Sequence, residues 1–88
     1  MKYRSRTDIV SQILQTGNGG TTKTRIMYSA YLSYAQLKEY LSMLTENGLI
    51  EHSKPENKYR TTAKGLQFLE AYGKLNDLTV GPLVAQKD

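Results

Sequence analysis

Helix start signals and helix stop signals alternate along this chain and divide it into short segments. Ser5 stands three residues before Asp8, and Ser33 stands three residues before Gln36, which is the spacing of a capping box at a helix N-terminus. The run Gly17–Gly20 stops the first helix, because glycine and asparagine tolerate the left-handed backbone that follows a helix. The pattern therefore predicts one helix that begins after Ser5 and another that begins after Ser33.

A shorter second helix is predicted between these two, capped by Thr21 or Thr22, and the third helix ends at Asn47-Gly48. Apolar residues recur at helical spacing in all three segments and mark the sides that face inward. These residues are Ile9, Val10, Ile13 and Leu14 in the first helix, Ile26, Met27 and Ala30 in the second, and Leu37, Tyr40, Leu41 and Leu44 in the third. The turn between the second and third helices is about three residues long, which is typical of a helix-turn-helix.

The next segment has the alternating pattern of a β-hairpin. A strand at 49–53 leads into a turn that contains proline and asparagine, and a second strand follows at 58–61. Alternation places Tyr59 inward and Lys58 and Arg60 outward. The hairpin is therefore predicted to have a basic outer face.

Thr62 caps a last helix over about 62–78. The order of helix, helix, helix, strand, strand, helix predicts a mostly α fold of the α+β class, a winged helix-turn-helix. It consists of three helices, a two-stranded wing and a C-terminal dimerisation helix. One domain is expected over residues 1–80, and a flexible tail over residues 81–88.

Composition excludes most enzyme chemistry. The chain has no cysteine, so disulfides and thiolate catalysis are excluded, and His52 is its only histidine. Residues 17–24 come within one position of a phosphate-binding loop, but Thr22 replaces the second glycine and a helix, not a strand, precedes the loop. We predict no catalytic residue, no metal and no cofactor, and expect His52 to be a surface residue.

The charge of the chain favours a polyanionic partner. Lys and Arg number 12 against 8 Asp and Glu, for a net charge of +4. Residues 1–64 hold ten basic and five acidic side chains, whereas residues 65–88 hold two and three. A small domain this basic is typical of proteins that bind nucleic acid. No apolar run approaches the roughly 18–20 residues that cross a bilayer. We therefore expect no membrane partner and a cytoplasmic, nucleoid-associated location.

The second helix of a helix-turn-helix enters the major groove with its N-terminal residues nearest the bases. Gln36 has the groups to pair with adenine, and Glu39 those to accept from cytosine. Gln36 as part of the capping box and Glu39 as a solvated surface acid remain the alternatives. The full set of predicted contacts from this helix is Ser33, Tyr34, Ala35, Gln36, Lys38 and Glu39.

Basic side chains outside that helix are the predicted phosphate contacts. Lys23 and Arg25 stand at the start of the second helix, where free N–H groups favour a phosphate. Lys54, Lys58 and Arg60 belong to the wing. Three more basic residues, Lys2, Arg4 and Arg6, precede or begin the first helix. If about five of these side chains neutralise phosphates, the log–log dependence of affinity on salt has a slope of about −4 to −5. The alternative is that they only keep the protein soluble.

The last helix carries two apolar stripes. Leu66 and Leu69 are expected to pack on the domain. Phe68, Tyr72 and Leu75 form a second stripe near heptad spacing, which a partner chain would cover. This second stripe predicts a homodimer.

Four blocks of the sequence, at residues 22–27, 32–41, 47–50 and 59–65, resemble the small archaeal winged helix-turn-helix DNA-binding proteins. The resemblance covers about residues 4–78. It implies binding of double-stranded DNA through the third helix and the wing. It also implies homodimerisation through an antiparallel coiled coil of C-terminal helices, although Gly81-Pro82 makes that helix short here.

The sequence thus predicts a winged-helix protein that binds double-stranded DNA, in a sequence-dependent or general manner, as a homodimeric transcriptional regulator. Winged helices also serve as protein–protein interaction modules, because a fold alone does not fix a function. Glu39 and Glu46 on the exposed side of the third helix favour that alternative.

Overall fold

The computed structural model describes residues 4–79, with side chains through residue 75. Four helices and one two-stranded sheet follow one another in the predicted order. They are α1 (Arg6–Gly17), α2 (Lys23–Ser29), α3 (Tyr34–Glu46), β1 (Ile50–Ser53), β2 (Lys58–Thr61) and α4 (Ala63–Thr79). The predicted α+β winged helix-turn-helix is confirmed. No helix in the described part is long and apolar enough to span a bilayer. The tail predicted over 81–88 lies outside the described residues.

Both predicted capping boxes are present. The Ser5 hydroxyl accepts a hydrogen bond from the backbone N–H of Asp8 at 3.0 Å, and the Asp8 carboxylate accepts from the N–H of Ser5 at 3.1 Å. The same pair of bonds joins Ser33 and Gln36, at 3.2 and 2.9 Å. Because each box satisfies backbone N–H groups that the helix leaves unpaired, it determines where α1 and α3 begin.

The two threonines before α2 have different roles. Thr22 is the N-cap, since its hydroxyl accepts from the N–H of Arg25 at 3.2 Å. Thr21 is buried and forms an isolated antiparallel bridge with Tyr59, with N–O distances of 2.8 and 2.7 Å. The loop between α1 and α2 is therefore fixed to β2.

The hairpin has two different faces. The cross-strand pairs are Ile50 with Thr61, Glu51 with Arg60, His52 with Tyr59, and Ser53 with Lys58. Because side chains alternate along a strand, the first and third pairs share one face and the second and fourth share the other. Ile50 and Thr61 are buried, so the first face points inward. Lys58 and Arg60 point outward, as predicted.

One core joins the first three helices to the hairpin. Its fully buried side chains are Ile13, Leu14, Ile26, Leu37, Leu44 and Ile50. Burial of each large aliphatic side chain contributes about 1.5–3 kcal/mol, so this cluster holds the helix-turn-helix and the hairpin in one fixed arrangement.

Helix α4 packs on this core through Leu69, as predicted, and through Phe68 in place of Leu66. Phe68 and Leu69 are half-buried against the core, whereas Leu66 is 42% exposed, so the expectation that Leu66 packs inward was wrong. Gly65 explains the rotation of α4 about its axis. It is buried so close to Leu49 that an added Cβ would lie 2.3 Å from the Leu49 carbonyl oxygen. With Gly65 on the inward side, the next residue, Leu66, points about 100° away from that side around the helix axis.

Gly65→Ala is therefore expected to destabilise the fold by about 1–3 kcal/mol, since the added methyl group meets backbone that cannot move aside. Gly73→Ala in the same helix is the control. Nothing lies within 4 Å of a Cβ there, and alanine is the better helix former, by up to about 1 kcal/mol. Urea unfolding of both variants checks this. Equal stability of the two would contradict the close approach of α4.

Candidate nucleic-acid interface

The N-terminal turns of α3 are presented to solvent. Tyr34, Ala35, Lys38 and Glu39 are all exposed, while the other side of the helix is buried in the core. Gln36 is exposed too, but its side-chain oxygen already accepts the 2.9 Å bond from the N–H of Ser33. The structure thus shows Gln36 as a cap, and contact between this side chain and a base stays a prediction.

Two lysines from different helices meet at the ring of Tyr34. The Nζ of Lys23, at the start of α2, and the Nζ of Lys38, in α3, each lie 5.6 Å from the ring centroid. Such distances allow a cation–π interaction. Tyr34 is 55% exposed, so both ammonium groups lie at the surface. The helix-turn-helix therefore concentrates positive charge where α2 and α3 begin.

The turn between α2 and α3 sets this arrangement. Tyr31 has φ 55°, a left-handed conformation that costs a non-glycine residue about 1–2 kcal/mol. The turn is closed by a 3.0 Å bond from the N–H of Leu32 to the carbonyl of Met27. Arg4 donates to the Tyr31 carbonyl at 3.4 Å, and its guanidinium lies 5.8 Å from the Tyr31 ring. Residues before α1 thus support the turn that aims α3.

A groove of about 460 Å³ runs between α3 and the inward face of the hairpin. Its α3 wall consists mainly of residues four apart, which occupy one side of a helix. The lining residues are Lys23, Tyr34, Lys38, Leu41, Ser42, Thr45, Glu46, His52 and Tyr59. We call this concavity the α3–wing groove. It contains the lysine pair at one end and the hairpin's aromatic pair in its wall.

His52 belongs to this groove, a role that the sequence interpretation missed. Its ring stacks on Tyr59, with centroids 4.5 Å apart and planes at 26°. Its Nε2 lies 3.0 Å from the Oδ1 of Asn57, which has φ 53° in the hairpin turn. Strand alternation carries the signal that was overlooked, since His52 is two residues from the buried Ile50 and shares its face.

The basic residues of the wing lie on the opposite face of the hairpin from the groove. Lys58 and Arg60 are exposed there, with Glu51 directly across from Arg60. Arg60 donates from Nη1 to the carbonyl of Gly19 at 3.3 Å, so its guanidinium reaches back to the α1–α2 loop. Lys54 is exposed in the hairpin turn. The structure therefore does not bring these side chains together with Lys23 and Lys38.

The other predicted cations lie elsewhere. Arg25 lines a separate depression of about 520 Å³ on the outward side of α2, beside Tyr28. The Arg6 guanidinium lies 5.2 Å from the ring of Tyr40, which is buried. Lys2 falls outside the described residues. The basic residues are thus distributed over several surfaces, and Lys23 and Lys38 are the two that line the groove.

Among the described residues, no carboxylate forms an ion pair with Lys23 or Lys38. Within residues 4–75, the one ion pair with a nitrogen–oxygen distance up to 4.0 Å joins Glu70 to Lys74, on α4. Glu46 is the one carboxylate among the described residues that line the groove. No group of three His, Asp or Glu side chains in the described part is arranged to hold a metal ion.

The apolar stripe of α4 that was predicted to form the dimer interface is partly buried in the protomer and partly exposed. The Tyr72 hydroxyl donates to the carboxylate of Asp8 in α1. This bond is the largest cause that lowers the pKa of Asp8, with the N–H of Ser5 next, and it raises the pKa of Tyr72. Phe68 packs against the core, whereas Leu75 is 61% exposed. Phe68 and Tyr72 therefore contact other elements of the same protomer, and Leu75 exposes most of its side chain.

Comparison with known proteins agrees with this architecture. A family model described as winged helix-turn-helix matches residues 3–80, and the chain belongs to that family. An uncharacterized protein of the archaeon Methanocaldococcus jannaschii is 30% identical over 76 residues, which cover 85% of this chain and 76% of that protein.

A solved structure has the same fold. The crystal structure of Sso10a-2, a DNA-binding protein from Sulfolobus solfataricus, superposes with a TM-score of 0.78 at 23% identity. The match covers 96% of this chain and 90% of that chain. The likeness therefore extends over the helix-turn-helix, the hairpin and α4 together.

Proposed function

We propose that this protein binds double-stranded DNA, with α3 in the major groove and a phosphate backbone along the α3–wing groove. The observation that carries the proposal is the convergence of Lys23 and Lys38 on the exposed ring of Tyr34. Two ammonium groups at one exposed ring raise the local positive potential, which attracts an anion. Closely spaced phosphates along a duplex are such an anion.

The family supports duplex DNA as the partner. In a helix-turn-helix the second helix reads the major groove while the first crosses the backbone, which matches exposed residues on α3 and a lysine at the start of α2. Sso10a-2, which shares the fold, is described as a DNA-binding protein. DNA binding in turn implies a nucleoid-associated location.

The exposed residues of α3 provide the candidate base contacts. Ala35, Glu39 and Ser42 lie on the side of α3 that faces away from the core. Gln36 keeps its NH₂ group for a base while its oxygen caps the helix. At the hairpin, Lys54 in the turn and Lys58 on the outer face would contact a different phosphate from those in the groove, and Arg60 donates to the carbonyl of Gly19 in the α1–α2 loop instead.

Replacement of Lys23 or Lys38 by glutamine should weaken duplex binding for every DNA sequence and reduce the log–log salt slope by about 0.9 for each phosphate that the variant no longer neutralises. Lys74→Gln removes the same charge from α4, where the ammonium already lies 4.0 Å from a carboxylate oxygen of Glu70, and it should leave binding unchanged. Fluorescence anisotropy at several salt concentrations measures both quantities. No duplex binding by the unchanged chain at low salt would reject the function, and equal effects of all three substitutions would reject the site.

The same titration distinguishes duplex binding from the second candidate function, a protein–protein interaction module. The exposed carboxylates of Glu39 and Glu46 favour that function, because they repel phosphates on the very face that would meet DNA. A module of this kind would bind no duplex at any salt concentration.

We also propose that the protein acts as a homodimer and regulates transcription, since a two-fold dimer presents two recognition helices to two half-sites. Leu75 supports the dimer surface. It is 61% exposed, and it stands seven residues after Phe68, on the same side of α4.

Sedimentation at micromolar concentration should therefore give twice the 10.0 kDa mass of one chain. Leu75→Asp should give the monomer, because an interface cannot bury an unpaired carboxylate at low cost. Leu66→Asp is the matched control, since Leu66 is also exposed but lies on the other flank of α4. A monomer without any substitution would contradict the proposed assembly, as would equal dissociation by both changes.

A further inference from the structure

We infer that His52 is a phosphate-binding residue of the α3–wing groove, and that it binds DNA as the charged imidazolium. DNA binding would then take up a proton. This inference rests on the proposed function and adds the chemistry of one contact to it.

The ring is held in place before any ligand arrives. Stacking on Tyr59 fixes the plane of the ring, and the bond to Asn57 fixes its rotation. Because the carboxamide oxygen of Asn57 only accepts, Nε2 of His52 carries the hydrogen in the neutral ring. A proton taken up therefore adds at Nδ1, and the ring becomes a cation with a second N–H donor. An ordered cation in a groove loses little further freedom when it binds an anion.

Charged side chains of both signs line the groove beside the ring. Lys23 from α2 and Lys38 from α3 are the cations, and Glu46 from α3 is the carboxylate. The phenols of Tyr34 and Tyr59 complete this part of the lining. On the strand that carries His52, Glu51 points to the opposite face of the hairpin.

A phosphate backbone in the groove adds negative charge beside the ring of His52. The phosphates offset the charge of the lysines and attract the imidazolium. DNA therefore favours protonation of His52, and protonation of His52 favours DNA binding to the same extent. A histidine changes charge between about pH 5 and 8, whereas exposed carboxylates stay ionised and lysines stay charged there. The linkage therefore belongs to the pH range in which histidine is the side-chain type that changes charge.

The test is duplex affinity at constant ionic strength at pH 5.5, 6.5 and 8.0, for the unchanged chain and for His52→Gln. The unchanged chain should bind more tightly as pH falls, by up to about tenfold per pH unit, the limit for uptake of one proton. His52→Gln should bind at all three pH values as the unchanged chain does at pH 8.0.

Calorimetry separates a proton-binding role from a merely structural one. Titration with the duplex at pH 6.5, in two buffers of different ionisation enthalpy, should reveal uptake of part of a proton by the unchanged chain and none by His52→Gln. The ring Cε1–H resonance of the chain's only histidine should move toward its acid position when DNA is added at constant pH.

The variant Glu46→Gln shows which anion stabilises the imidazolium of His52. If DNA is that anion, this variant keeps the pH dependence and the proton uptake. Loss of both in Glu46→Gln would overturn the inference, because the carboxylate would then be the partner of the imidazolium. Duplex binding without proton uptake by the unchanged chain would overturn it as well, while leaving the proposed function intact. Failure to bind duplex at any pH would instead reject the proposed function itself.

Discussion

The turn that brings the N-terminal ends of α2 and α3 together is the constraint on which the positive surface of this fold depends. Lys23 and Lys38 come from different helices and meet at Tyr34, with no carboxylate within ion-pair distance in the part of the chain that the structure describes. The left-handed turn at Tyr31 and the buried core beneath α2 and α3 hold the two helix ends in this arrangement. The fold thus presents two ammonium groups at one exposed ring, which is a suitable site for an anion.

The hairpin forms the second wall of the groove that contains these lysines. Its inner face continues from the buried pair of Ile50 and Thr61 to the stacked pair of His52 and Tyr59, so packing at one end orients the rings at the other. The bridge between Thr21 and Tyr59 fixes the hairpin to the loop before α2. Hydrogen bonds and apolar contacts therefore connect the α2 N-terminus, α3 and the wing into one continuous surface.

Local signals in the sequence predicted most of the fold. The capping boxes at Ser5 and Ser33 depend on residues three positions away, and this is why both helix starts were predicted correctly. The site was harder, because its members meet through long-range packing. Arg60 has the pattern of an outward wing cation, yet it binds the carbonyl of Gly19, 41 residues earlier. The rotation of α4 depends on how closely Gly65 approaches the backbone of Leu49, just before β1, and helical periodicity contains no such information.

Amide chemical-shift mapping shows which surface of the protein meets DNA. When a short duplex is added to the ¹⁵N-labelled protein, we expect the large shifts to fall on Lys23, Tyr34, Lys38 and His52 and their neighbours around the α3–wing groove. The outward side of α2 at Arg25 should change little. Large shifts on that side of α2 or on the outer face of the hairpin, with the groove unaffected, would show that DNA does not bind in the α3–wing groove.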